Sequence, residues 1–260
     1  YTMVDGSDPD NFKKAIRPET KLIYIETPSN PLLKIVDIKA IASIAKAHGL
    51  LTMIDNTFAS PVNQNPISLG IDVVVHSGTK YIGGHSDICC GVVVTSHALA
   101  GKIRSKAVNF GGSINAQTAY LIERSLKTLV LRVRQQNQNA MAVARYLQNL
   151  AEVKKVYYPG LENHPLHDVA VSQKTEGFGG TLSFEIKTDA ASFISKLKLI
   201  RRAVSLGGVE STICLPAKTS HVKVSAQDRA AMGISDNLVR LSTGIEETND
   251  LIQDLDGAFK

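Results

Sequence analysis

The sequence predicts an α/β protein in which a large domain with a mostly parallel sheet is followed by a smaller α+β domain. Three observations predict it. Four short apolar runs alternate with helix-like or loop sequence in the first part of the chain. Residues 117–150 contain no glycine or proline and repeat apolar residues at helical spacing. Shorter strand and helix patterns follow. We therefore expect domains at residues 1–134 and 135–260.

The first element, residues 9–16, is helix-like, and the four apolar runs follow it at residues 22–25, 50–54, 73–75 and 92–94. Fully apolar strands of this kind are typical of a parallel sheet covered on both faces. Between the first two runs, Asp37 is a suitable N-cap and Gly49 a suitable C-terminal stop for a helix. Strand, helix and strand form a βαβ unit, for which we expect a right-handed crossover.

The apolar repeat at residues 117–150 predicts one long helix or two consecutive helices that lead out of the sheet domain. Beyond it, strands are predicted at 153–158, 180–186 and 238–242, with a helix at 190–198 and a turn at Gly207 and Gly208.

Composition excludes several classes of protein. The chain has 260 residues, 43% of them hydrophobic, and its net charge of +5 is not concentrated in any block of like charges. We therefore expect no nucleic-acid partner. No apolar run is long enough for a membrane span, so we expect no membrane partner. Three cysteines, two of them adjacent, do not form a disulfide framework and favour a cytoplasmic location.

The most informative stretch is VVVHSGTKYIGGHSD at residues 73–87. Hydroxyl groups and backbone N–H groups after a strand can bind a phosphate, and a neighbouring lysine could form a Schiff base with an aldehyde cofactor. A P-loop is excluded because its order of glycine, lysine and hydroxyl residues is absent. From these residues alone, a polar loop with an exposed lysine is an equally good interpretation.

Asp55 follows a second apolar run, at the strand end where open α/β sheets place their ligands. An aspartate there can pair with a protonated pyridine nitrogen. Taken alone, an Asp-Asn turn is the more ordinary interpretation.

Five motifs together resemble the Cys/Met-metabolism family of pyridoxal-phosphate enzymes, which contains cystathionine lyases, methionine γ-lyase and cystathionine γ-synthase. They are ETPSNP (26–31), IDNTFASP (54–61), HSGTKYIGGHSD (76–87), SLGGVES (205–211) and VRLSTGIE (239–246). The resemblance implies the aspartate-aminotransferase-like fold type I, pyridoxal 5′-phosphate as cofactor and a homotetramer. It also implies that this chain is the later part of a longer protein, without the family's N-terminal ring-stacking and phosphate-binding residues.

The resemblance assigns cofactor-binding roles to five residues. Lys80 would form the internal aldimine and afterwards act as general acid and base. Asp55 would pair with the ring nitrogen, Thr57 would lie close to the ring, and Ser77 and Thr79 would bind the phosphate.

Four further residues would bind the substrate. Arg240 would hold its carboxylate in a two-pronged salt bridge, which a planar guanidinium suits. Asn30 would lie near the same carboxylate and Ser205 near Lys80. Val204 would border the pocket for the distal end of the substrate, where an apolar side chain favours a thioether tail.

The expected activity is that of a lyase that cleaves cystathionine, cysteine or methionine by β- or γ-elimination. A γ-replacement transferase would use the same residues. A binding protein without turnover is the alternative from another class, and the combination of Lys80, Asp55 and Arg240 argues against it. The histidines have no partners spaced as metal ligands, so we expect no metal.

Overall fold

The computed structural model describes residues 1–260, and the chain folds around two sheets. The strands are β1 (Leu22–Glu26), β2 (Leu51–Asp55), β3 (Val73–Ser77), β4 (Gly91–Thr95), β5 (Val153–Tyr157), β6 (Thr181–Ile186), β7 (Arg201–Arg202), β8 (Thr212–Cys214) and β9 (Leu238–Ser242). The helices are α1 (Pro9–Ala15), α2 (Ile38–Ala47), α3 (Ser60–Asn63), α4 (His97–Asn109), α5 (Ala116–Leu126), α6 (Leu129–Gln148), α7 (His167–Gln173), α8 (Ala190–Lys196), α9 (Ala226–Ala231) and α10 (Thr248–Phe259). No helix combines the length and apolarity that crossing a membrane would need.

The first sheet has the strand order β1-β2-β3-β4. The three strands β1, β2 and β3 are parallel, as predicted, but β4 pairs with β3 in the antiparallel direction. The sheet is therefore mostly parallel, as predicted, and β4 is the exception because the connection from β3 to β4 contains no crossover helix. Without such a crossover, the chain returns beside β3 in the opposite direction.

The strands of the β1–α2–β2 unit begin and end within one residue of their predicted boundaries. The Asp37 carboxylate accepts a hydrogen bond from the Ala40 N–H at 3.0 Å and begins α2, while Gly49, at a φ of 65°, ends it. Ile38 and Ile41 of α2 are fully buried against the sheet. The other face of the sheet exposes Tyr24 and several further apolar side chains, so the residues of this chain cover one face of the sheet.

The apolar repeat forms two consecutive helices, α5 and α6. Near its start α6 packs Val133 against Tyr81, and further along it packs Val143 and Leu147 into the core of the second sheet. A domain division between residues 134 and 135 would fall inside α6, where its packing partners change. That division stays a prediction.

The second sheet has the order β5-β6-β9-β8-β7 and is antiparallel except for the short pair β7–β8. Its core is closed by α6, α8 and α10. Strand β9 is buried along its whole length between β6 and β8. A residue in the middle of this strand is therefore held rigidly.

Candidate functional site

The candidate site begins at the edge where three parallel strands end. Asp55 is the last residue of β2 and Ser77 the last of β3. Thr57 joins the two strand ends, because its N–H donates to Asp55 Oδ1 at 2.9 Å and its hydroxyl accepts from the Ser77 N–H at 2.8 Å. A carboxylate and two hydroxyl residues thus meet at one edge, as expected from parallel strands.

Lys80 lies in the turn that follows β3. Its backbone N–H donates to the Ser77 carbonyl at 3.1 Å, and its amine donates to the Ser205 hydroxyl at 3.2 Å. Burial lowers the pKa of Lys80, and the positive charge of Arg240 lowers it further, against a smaller opposite effect of Cys89. A larger share of this amine is therefore uncharged, and able to accept a proton, than in an exposed lysine.

Arg240 lies in the middle of β9 and is 3% exposed. Its guanidinium donates to Asn30 Oδ1 at 3.0 Å and to the carbonyl oxygens of Val204 at 2.6 Å and Ser205 at 3.4 Å. Arg240 takes part in none of the four salt bridges of the chain. Its charge is held in place by neutral oxygens, and Ser205 lies between it and Lys80.

The remaining two predicted site residues have other contacts. The Thr79 hydroxyl accepts from the Cys90 N–H at 3.1 Å and so joins the turn after β3 to the start of β4. Val204 contributes its carbonyl oxygen to Arg240, while the residue as a whole is 67% exposed. No group of three or more His, Cys, Asp or Glu side chains is arranged to hold a metal ion.

Sequence reasoning missed Arg132, which fixes the turn that carries Lys80. Its guanidinium, on α6, donates to the carbonyl oxygens of Tyr81 at 2.8 Å and Ile82 at 3.3 Å. A Cβ atom at Gly84 would collide with this guanidinium, and Gly84 has a φ of 72°, which favours glycine. A single arginine on a helical face gives no signal of this contact in the sequence.

Sequence reasoning also missed Glu26, the last residue of β1, which lies beside Asp55 in the strand register. Its carboxylate accepts from the Asn30 N–H at 3.1 Å. The signal was available, because Glu26 ends an apolar run as Asp55 does.

The family model for Cys/Met metabolism PLP-dependent enzymes matches residues 1–260. The chain belongs to this family. It is therefore a pyridoxal-phosphate-dependent enzyme of sulfur amino acid metabolism, and the α/β fold and the cofactor inferred from the sequence are confirmed.

The curated relatives of this Cys/Met metabolism enzyme include several lyases. The chain is 47% identical over 263 residues to a cystathionine beta-lyase of Lactococcus lactis subsp. cremoris and 46% identical over 262 residues to a cystathionine gamma-lyase of Bacillus subtilis. Both alignments cover 100% of this chain and 69% of the relative. An L-methionine gamma-lyase of Fusobacterium nucleatum subsp. polymorphum is 42% identical, over 98% of this chain and 66% of the relative.

Solved structures are similar over the same range. The crystal structure of cystathionine gamma-lyase from Lactobacillus plantarum, complexed with L-serine, matches with a TM-score of 0.97 and 44% identity. The match covers 99% of this chain and 68% of that one. The structure of cystathione gamma lyase (CalE6) from Micromonospora echinospora matches with a TM-score of 0.95 and 38% identity, over 98% of this chain and 68% of that one.

The residues present fit pyridoxal phosphate chemically. The Lys80 amine, whose one hydrogen-bond partner is the Ser205 hydroxyl, suits an aldehyde. The Asp55 carboxylate, which has no salt-bridge partner in the chain, suits a protonated pyridine nitrogen.

Proposed function

We propose that this enzyme is a carbon–sulfur lyase that cleaves a sulfur amino acid, cystathionine, cysteine or methionine, by β- or γ-elimination. The observation that carries the proposal is the meeting of Lys80 and Arg240 at Ser205. An amine that can carry a proton then lies next to a guanidinium that can bind a carboxylate, an arrangement suited to chemistry at the α-carbon of an amino acid.

Arg240 and Asn30 would orient the substrate. The carboxylate of an amino acid would gain a two-pronged contact with the guanidinium, which is already held in place by Asn30 Oδ1 and the Val204 carbonyl. This contact would place the α-carbon of the substrate near Lys80, because Ser205 contacts both side chains. The Ser205 hydroxyl, 3.2 Å from Lys80 Nζ, would help to hold that amine in position.

Lys80 would move the proton. When bound, pyridoxal phosphate draws electrons away from the α-carbon of the substrate. The Lys80 Nζ accepts the α-proton and can deliver it elsewhere on the substrate as the sulfur group leaves. Its lowered pKa favours the neutral amine that this step needs.

Four residues at the strand ends would hold the cofactor. Asp55 would pair with the pyridine nitrogen, and Thr57, which contacts both strand ends, would lie close to the ring. Ser77 and Thr79 would bind the phosphate with their hydroxyl groups. The Thr79 hydroxyl would then contact both the phosphate and the Cys90 backbone.

A γ-replacement transferase would use the same residues, so the geometry does not distinguish it from a lyase. The names of the relatives at 42–47% identity quoted above favour the lyase. A binding protein without turnover is disfavoured, because the amine, the carboxylate and the guanidinium are all in place.

Changing Lys80 tests the proposal. Lys80→Ala is expected to lower turnover by at least about 10³-fold while the fold is kept, since the site loses its covalent anchor and its proton carrier. Borohydride reduction should link the cofactor to the peptide that contains Lys80 in the wild type. Lys102→Ala, an exposed lysine on α4, is the matched control. Wild-type turnover in Lys80→Ala would contradict the assignment.

Product analysis distinguishes the reactions. With cystathionine as substrate, β-elimination yields pyruvate and γ-elimination yields 2-oxobutyrate. A γ-replacement enzyme would instead need an activated homoserine and a thiol. Formation of neither keto acid from cystathionine, cysteine or methionine would contradict the lyase proposal.

We also propose a cytoplasmic homotetramer. All three cysteines are free thiols, which is consistent with a reducing compartment. The segment from α4 to the start of α6 exposes Phe110, Tyr120 and Leu131, the kind of apolar surface that subunits cover in an assembly. Sedimentation of the purified enzyme measures its mass directly, and a monomer would contradict this assembly.

A further inference from the structure

Glu26 and Asp55 lie side by side at the ends of neighbouring strands. The parallel register pairs them directly, and successive residues of a strand alternate between faces, so both side chains point to the same face of the sheet. Both are half-buried. Two carboxylates in this arrangement repel each other when both are ionised.

Glu26 also connects to the guanidinium of Arg240. Its Oε1 accepts from the Asn30 N–H at 3.1 Å, and the side-chain oxygen of Asn30 accepts from Arg240 at 3.0 Å. Two hydrogen bonds, both made by Asn30, therefore connect Glu26 to Arg240, the candidate binding site for the substrate carboxylate. Asp55 lies next to Glu26 on the neighbouring strand.

The charges around Glu26 leave it without a cationic partner. Tyr24 lies on the same strand and Asp55 on the next; His76 on β3 is close enough to Asp55 for their charges to interact. Three basic residues line the same groove, and none of them forms a salt bridge: Arg17, Lys21 and Lys34.

Burial raises the pKa of Glu26 to about 7, and the charge of Asp55 adds to the effect against the hydrogen bond from Asn30. The second carboxyl of the pair can therefore hold a proton near neutral pH.

We propose that Glu26 is a positioning residue that couples the two ends of the site: it anchors Asn30 and thereby Arg240, and it gives up its proton when a cation pairs with Asp55. The inference rests on the proposed function, in which the cofactor's ring nitrogen is that cation. Burial is the larger cause of the raised pKa of Glu26, and repulsion from Asp55 adds to it. When a cation pairs with Asp55, this repulsion is removed, the pKa of Glu26 falls, and part of the proton that Glu26 holds near neutral pH is released.

Calorimetry of pyridoxal phosphate binding to the cofactor-free enzyme tests the coupling. The same titration is run at pH 7 in buffers of different ionisation enthalpy, which gives the number of protons released. Since Glu26, with a pKa of about 7, is about half protonated at this pH, the wild type should release more protons than Glu26→Gln, by at most about half a proton. Glu19→Gln, an exposed acidic residue in the same groove, should match the wild type.

Equal proton counts in the wild type and Glu26→Gln would overturn the coupling. If Glu26→Gln does not fold, the protonation of Glu26 can still be measured in the cofactor-free wild type. NMR of protein labelled with ¹³C at the glutamate carboxyl carbon should show one glutamate that titrates near pH 7, and its absence would equally overturn the inference. A wild type that binds no pyridoxal phosphate at all would instead refute the proposed function.

The link to Arg240 is tested with glycine, a small amino acid with a carboxylate, followed by the absorption of the bound cofactor. Glu26→Gln keeps an oxygen that can accept from Asn30 and should change glycine affinity less than about 2-fold. Glu26→Ala removes this acceptor and should lower the affinity for glycine by about 10-fold, the effect of one lost hydrogen bond to a binding group. Equal affinities in the two variants would show that Glu26 does not position Asn30.

Discussion

Lys174 follows α7 and has an unusual environment for a lysine. Its amine donates to Gln64 Oε1 at 2.7 Å, and the Gln64 amide group donates in turn to Asn56 Oδ1 at 2.8 Å. Lys174 forms no salt bridge in the chain. Burial lowers the pKa of this amine from its ordinary value of 10.5 to about 7. We predict that replacing it by methionine stabilises the protein at pH 6.

The size of the effect follows from the two pKa values. A difference of about 3.5 pH units, at about 1.4 kcal/mol each, amounts to at most about 5 kcal/mol for this partly buried charge. Losing the hydrogen bond to Gln64 costs about 1–2 kcal/mol at every pH. Lys174→Met should therefore stabilise by at most about 3 kcal/mol at pH 6 and destabilise by about 1–2 kcal/mol near pH 10.5.

The sign follows from proton binding. Between pH 7 and 10.5 the unfolded chain binds a proton at Lys174 that the folded state does not, so wild-type stability rises with pH across this window. Methionine binds no proton and lacks this contribution.

Urea unfolding of wild type, Lys174→Met and Lys196→Met at several pH values between 6 and 10.5 measures the effect. Lys196 is exposed on α8, and its variant should follow the wild type. A difference between Lys174→Met and wild type that stays constant with pH would refute the reasoning.

Three further variants test the site. Asp55→Asn should bind cofactor with a modest loss but lower kcat by at least about 10²-fold, as measured by steady-state kinetics, because a neutral amide does not hold the ring nitrogen protonated. Arg240→Lys should raise KM for the amino acid by about 10-fold or more, since a lysine offers no fork of donors; an unchanged KM would remove Arg240 from the substrate site. Val204→Glu should lower the ratio of kcat/KM for methionine to kcat/KM for cystathionine, a change in discrimination of about 1–3 kcal/mol. An unchanged ratio would place Val204 outside the pocket.

The elements that the sequence predicted well have local signals at both ends. Helix α2 begins at an aspartate that caps it and ends at a glycine of positive φ. Local sequence also predicted three strands and one turn, because residues adjacent in the chain determine them: the apolar runs of β1, β2 and β3, and the turn that contains Lys80.

The features that the sequence did not predict depend on contacts between distant segments. Helix α4 buries no residue and so has no apolar stripe to reveal it. The direction of β4 depends on how the chain returns to β3. Arg132 lies 51 residues along the chain from the Tyr81 carbonyl that it binds. The pairing of Glu26 with Asp55 follows from strand register. The role of Asp55 was predicted only because its motif resembles the family together with four others.

The environment of Arg240 indicates how the site favours an amino acid over a neutral ligand. Its guanidinium is buried and held by Asn30 and two carbonyl oxygens, none of which carries a negative charge. A buried cation without an anion is costly, and the fold bears that cost before any substrate arrives. A bound carboxylate relieves it, while a ligand without a carboxylate does not. Because neighbouring groups already fix the guanidinium, little ordering of this side chain opposes the gain.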